Sequence, residues 1–251
     1  MAKPRHLDNA PIAEAVIDFR TRTAVTLDVE ALSDLGAQLG ALYPEKPADI
    51  GFLEFGIHQQ PGQKLTSSQK DLGKVGYRFR SSDGKHIFQL RKDGFTFSRL
   101  SPYPHWDHFF DEASKAYRRY FEIGQLEGMH RIGVRYINRM LLPDGEVGDF
   151  SGFLTAPPPF PQEVPALMTQ FLTQVHVQEL DSLIHATVTQ TVQKGQSTPG
   201  FVPVILDIDV FQNGNFSVTP DVLLPQLNPL RDFKNRLFFA SITEKTADLF
   251  A

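Results

Sequence analysis

Between Val75 and Leu100 the chain alternates apolar and polar residues in three short runs separated by two Gly-ended turns. The runs are Val75 to Arg80, His86 to Arg91 and Phe95 to Leu100. The turns are Ser81-Ser82-Asp83-Gly84 and Lys92-Asp93-Gly94. A period of two sends successive side chains to opposite faces of a strand, and Asp-Gly supplies the positive φ that a tight hairpin needs. This stretch therefore predicts an antiparallel meander with one apolar and one polar face. The apolar face has to be buried against another layer.

The same periodicity predicts a strand over Ala15 to Thr23, where Ile17 and Phe19 alternate with Asp18, Arg20 and Arg22. A long strand is expected from Met129 to Leu142, and others at Ile50 to His58, Phe171 to Glu179, His185 to Val192 and Val202 to Phe211. Asn213-Gly214 reads as a turn into Phe216-Ser217-Val218. Helical spacing covers Val29 to Tyr43 (Val29, Leu32, Leu35, Leu39, Leu42) and stops at Pro44. It covers His105 to Phe121 through Trp106, Phe109, Phe110, Ala113, Tyr117 and Tyr120. A last helix is expected from Pro229 to Phe250, with Asn228 as N-cap and Pro229 at N1. The polar segment from Gln59 to Lys74 and the proline-rich Ala156 to Pro165 read as exposed loops. The fold class expected is α+β: a largely antiparallel sheet covered on one face by helices.

The 251 residues are 41% hydrophobic and 22% charged, enough apolar material for a sizeable core. There are no cysteines, which removes disulfides, thiolate catalysis and cysteine-based zinc sites. The net charge of −4 argues against a dedicated nucleic-acid binder, although a local basic face is compatible with it. The N-terminal residues lack an apolar signal core, and no segment approaches a membrane span; the expected location is the cytoplasm, with no membrane partner.

The order of elements reads as two pseudo-repeated halves, 1–125 and 126–251, forming one compact unit. Arg20 and Arg139 end corresponding strands at an offset of about 119, and Phe97-Ser98 and Phe216-Ser217 share that offset. Such a plan implies a saddle-like, TATA-binding-like sheet. Pro11-Ile12, Glu14, Val16, Phe19-Arg20, Gly76 to Ser81 with Asp83-Gly84, and Arg131 to Arg139 carry a further likeness. With these motifs the chain resembles a sporadically distributed family of uncharacterised bacterial proteins of about this length. The resemblance implies a bacterial origin and a defence or mobile-element operon. It brings no catalytic residues with it.

Alternation collects polar residues on shared strand sides. The candidate ligand-binding residues are Arg20, Arg78, Arg80, Arg91, Arg131, Arg135 and Arg139, in company with Asp18, Gln89, His176, Gln178, Asp207 and Asp209. Arginine forks suit carboxylate or phosphate. An antiparallel sheet is also simply polar where it meets water. Asp207-x-Asp209 is the candidate metal pair, because i, i+2 carboxylates on a strand point one way, and Glu14 with Asp18 is a looser one; hard cations need more oxygens than either supplies. His105-x-x-His108 offers half a zinc site with no third ligand. No nucleophile elbow, phosphate-binding Gly-rich loop or dinucleotide fingerprint is present.

Three functions follow as expectations. The first is a non-enzymatic binding or regulatory module that uses the arginine-bearing face to engage an anionic ligand or a partner protein from a neighbouring gene. The second is nucleic-acid binding on a saddle. The third is a phosphohydrolase acting on polyphosphate or nucleotide in a tunnel. No cofactor is expected for the first two, and magnesium enters only with the third.

Overall fold

Alternation along the strands yields a single open sheet. The structure, a computed structural model, describes residues 1–23, 29–38, 43–44, 46–58, 66–123, 126–143, 150–159, 163, 168–193 and 198–251. In chain order the elements are β1 (Ile12–Thr23), α1 (Val29–Gln38), β2 (Ala48–His58), β3 (Thr66–Arg80), β4 (His86–Arg91), β5 (Gly94–Leu100) and α2 (Trp106–Ile123). There follow β6 (Leu126–Pro143), β7 (Leu172–Gln178), β8 (Ile184–Val192), β9 (Phe201–Phe216), α3 (Pro220–Leu223), α4 (Leu227–Ser241) and α5 (Glu244–Asp248). The described residues form a nine-stranded antiparallel sheet of order β2-β3-β4-β5-β1-β6-β9-β8-β7. Helices pack on one face: α1 against β3, α2 against β5, α4 against β6 and β9. The fold is mixed α+β, as the periodicity predicts.

The core lies between sheet and helices. Ile17, Phe19, Phe88, Phe95, Phe97, Ile132, Val134 and Ile208 point to the helix side and are buried. Phe109, Tyr117 and Tyr120 of α2 meet them; the Phe19 and Tyr117 rings stand edge-to-face with centroids 4.9 Å apart. That arrangement places the positive edge of one ring against the negative face of the other. The α2 stripe read from the sequence is thus the helix's buried face.

Four expectations change. Residues 66–74, expected in a loop, form the first part of β3 and pair with β2 from His58↔Thr66 to Gly51↔Lys74. Their polar sequence hides a strand because β2 supplies the pairing, so no apolar period is needed. The remainder of that loop, 59–65, lies outside the described residues, as do 39–42 of the first expected helix and much of the proline-rich segment. Asn213-Gly214 is not a turn: β9 runs through to Phe216, and Arg131↔Asn213 and Met129↔Phe216 hold it to β6. The last helix is two helices. Ile242 is extended (φ −119°, ψ 156°) and bridges to Leu154, and Thr243 caps α5 by accepting from the Thr246 amide. Finally, α4 starts at Leu227 rather than at Asn228-Pro229, because the chain already turns helically from Pro220, which occupies the first turn of α3.

Candidate functional site

Register decides which polar residues meet. Counting across the ladder, Arg78, Gln89, Thr96, Asp18, Gly133, Phe211 and His185 form one row. The next row holds Arg80, Ile87, Ser98, Val16, Arg135, Asp209, Thr187 and His176. On the other side lie Arg91, Gly94, Arg20 and Arg131. All are on the face opposite the helices, so the alternation argument placed these residues together.

At the centre is Asp18 on β1. Its carboxylate accepts from Thr96 Oγ1 at 2.6 Å, Arg131 Nη1 at 2.9 Å, Arg91 Nη2 at 3.1 Å and Arg20 Nε at 3.2 Å. Burial raises its pKa, but Arg20, the Thr96 hydroxyl, Arg91 and Arg131 together outweigh that and hold it below the usual carboxylate value. Arg20 and Arg91 also reach Asp93, which projects from the β4–β5 turn. Arg131 bridges on to Asp209 at 3.0 Å and lies 4.6 Å above the Phe211 ring. Arg135 grips Asp207 with two parallel bonds of 2.8 and 2.5 Å. This fork geometry raises the guanidinium pKa further, with the Asp207 hydrogen bond the main cause. Asp209 differs: burial is the largest influence and lifts its carboxyl above the usual value, despite Arg131 and Arg135.

Two glycines allow close approaches at the site, one by an arginine and one by the backbone of β1. A Cβ on Gly133 would stand 3.0 Å from Arg131 Nη1, and one on Gly94 would stand 2.2 Å from the Phe19 carbonyl. The resulting depression measures about 460 Å³, and Glu14, Asp18, Arg20, Arg91, Arg131, Arg135 and Asp209 line it.

Four of the seven candidate arginines, Arg20, Arg91, Arg131 and Arg135, therefore converge. Arg78 and Arg80 share the face but border a second depression beside Lys46 and Ile87. Arg80 donates to the Gly84 carbonyl, and Arg139 donates to the Gln193 side chain at 2.8 Å. The candidate metal pair, Asp207 and Asp209, has guanidinium partners. Among the described residues no cluster of three or more His, Asp or Glu is placed to hold a metal ion. His105 accepts from the His108 amide at 3.3 Å, which is a helix-capping contact. No family model matches the chain, and neither does any curated protein. Among the described residues no helix is long and apolar enough to cross a membrane.

Thr96 and Asp93 carry no sequence signal that marks them as site residues. Thr96 followed from the alternation Phe95-Thr96-Phe97, which puts its hydroxyl on the polar side. Asp93 read only as a turn residue. Gly133 in mid-strand was the available signal for a close approach.

Proposed function

We propose that this chain is a bacterial binding or regulatory module and that its arginine-bearing sheet face engages a partner protein encoded beside it. The observation that carries the reading is the pre-ordered quartet of Arg20, Arg91, Arg131 and Arg135. Each uses two nitrogens on Asp18, Asp93, Asp207 or Asp209. A guanidinium has five N–H donors, so donors remain for an incoming carboxylate or carbonyl. The carboxylates fix the side chains in advance, which lowers the entropy lost on binding. They also offset much of the positive charge. A protein surface of mixed charge with acidic residues at its centre fits such a face better than a continuous polyanion does.

The test is hydrogen–deuterium exchange of the full chain, co-purified with each neighbouring gene product. Protection should fall on β1, β6 and β9, and Arg135→Ala should weaken the complex about tenfold or more. Complexes that protect only other surfaces would overturn the reading.

Nucleic-acid binding on a saddle is the second reading, supported by strand order. From the β1–β6 pair the sheet runs outward as β5-β4-β3-β2 on one side and β9-β8-β7 on the other. Two related halves would produce that order. The offset of about 119 is not kept by the register, however: Phe97 pairs with Ile17 in mid-β1, and Phe216 pairs with Met129 near the start of β6. Asp18, Asp207 and Asp209 on the face would repel phosphates, and binding that does not weaken with added salt would count against this reading.

A further inference from the structure

On the other side of the sheet, a cavity of about 400 Å³ lies between the N-terminal segment, the start of α2 and α4. Two cations one helical turn apart on α4 face it, Arg231 and Lys234. Lys234 is 8% exposed, and its Nζ stands 3.8 Å from the centroid of the Tyr136 ring. The Arg231 guanidinium lies over Trp106 at 5.3 Å. Among the described residues neither makes a hydrogen bond or an ion pair; aromatic faces are their partners. The other charged groups at the cavity are accounted for. Arg5 is taken by Glu244 and Asp248, and exposed Asp8 pairs with His6 at 3.4 Å. Tyr103 and Tyr136 share a hydrogen bond of 2.9 Å between their hydroxyls, and His105 completes the titratable set.

An ammonium withdrawn from water without an acceptor is costly, and replacing it by an apolar residue is usually favourable. Its position between Leu230 and Phe238, on the stripe that α4 buries, would suit a leucine. A cation kept there, beside a second one and walled by Trp106, Tyr103 and Phe238, matches an anion on a flat apolar body. We propose that this cavity binds a small aromatic or otherwise flat carboxylate, with Lys234 and Arg231 holding the carboxylate and the aromatic side chains holding the ring. The volume falls within the range of pockets that take small molecules, about 300–1,000 Å³. Two single cations suit one carboxylate, whereas a phosphate dianion calls for more donors. The proposal is independent of the role of the open face.

Burial first, and Arg231 second, bring the Lys234 pKa down to about 7. A bound carboxylate restores the charged form, so binding near pH 8 should take up a proton. The experiment is calorimetry of the full chain with benzoate, phenylpyruvate and 2-naphthoate, in phosphate and in Tris buffer, with 2-naphthamide as the uncharged control. At least one carboxylate should bind and 2-naphthamide should not. The heats in the two buffers should differ by up to about one proton's ionisation. Lys234→Met should weaken binding about tenfold or more and abolish the buffer dependence. Arg231→Leu, which leaves the buried position intact, provides the same test of affinity if the Met variant does not fold. Failure of all three carboxylates to bind, or equal binding by the amide, overturns the proposal. So does unchanged affinity in both variants.

Discussion

Asp18 and Lys234 are both ionisable groups withdrawn from water, on opposite sides of one sheet, and they are treated in opposite ways. Asp18 is surrounded by three guanidiniums and a hydroxyl, and its charged form is favoured in spite of burial. Lys234 has a ring beneath it and another cation beside it, and its charged form is disfavoured. Withdrawal from water does not by itself fix protonation; the neighbours set the sign. The open face holds balanced charge that stabilises the fold. The cavity holds unbalanced charge that destabilises it.

The largest effect should come from breaking the balance at Asp18. Asp18→Ala leaves Arg20, Arg91 and Arg131 crowded without their shared carboxylate and should cost about 3 kcal/mol in urea unfolding at pH 7. The Asp18 contribution is complete above the unfolded carboxyl value and is lost as pH falls through its lowered folded value, so wild type and variant should converge in strong acid. An undiminished gap there would mean that packing, not charge, is what Asp18 supplies.

Lys234→Met should act in the opposite direction, stabilising the chain by about 2 kcal/mol at pH 7. The folded pKa lies below the unfolded one, so the unfolded state binds the extra proton between about 7 and the ordinary lysine value of 10.5. Wild-type stability should therefore rise across that window, and the advantage of the variant should shrink. A melting-temperature difference that stays constant from pH 7 to 10 would contradict the account. Asp209→Asn should be the mildest, within about 1 kcal/mol, because burial already disfavours the carboxylate that the amide replaces. A loss as large as that of Asp18→Ala would show that the Arg131–Asp209 bridge carries the network.

Much of the open face was legible because strand alternation is a strict rule: one residue in two goes to each side. That rule placed all seven arginines and the three aspartates together without knowing the strand order. It could not tell which of them touch. Asp18 meets Thr96 and Arg131 only through the register of β1 with β5 and β6, across 78 and 113 residues. The polar start of β3 and the end of β9 were misread because Gly, Asn and Ser look like turn residues, yet a neighbouring strand can hold them extended. The cavity is not legible in the sequence for another reason. Lys234 occupies an apolar position on the α4 stripe with Leu227, Leu230 and Phe238, a local contradiction visible in the sequence, but its surroundings come from β6 and the N-terminus.

The adjacency of β1 and β6 at the middle of the sheet has a consequence for assembly. The β3-β4-β5 meander closes by short turns, at little loop entropy. β1, made first, must wait for β5 on one side and β6 on the other. The strand that carries Asp18 thus precedes the other eight in the chain and is enclosed only once β6 has been made. Until then its apolar side, Ile17 and Phe19, has neither neighbour strand to pack beside. The bonds to Asp18 can form only when β5 and β6 have both arrived, and those to Asp207 and Asp209 only when β9 has joined β6, so the complete arginine network requires strands from both halves of the chain.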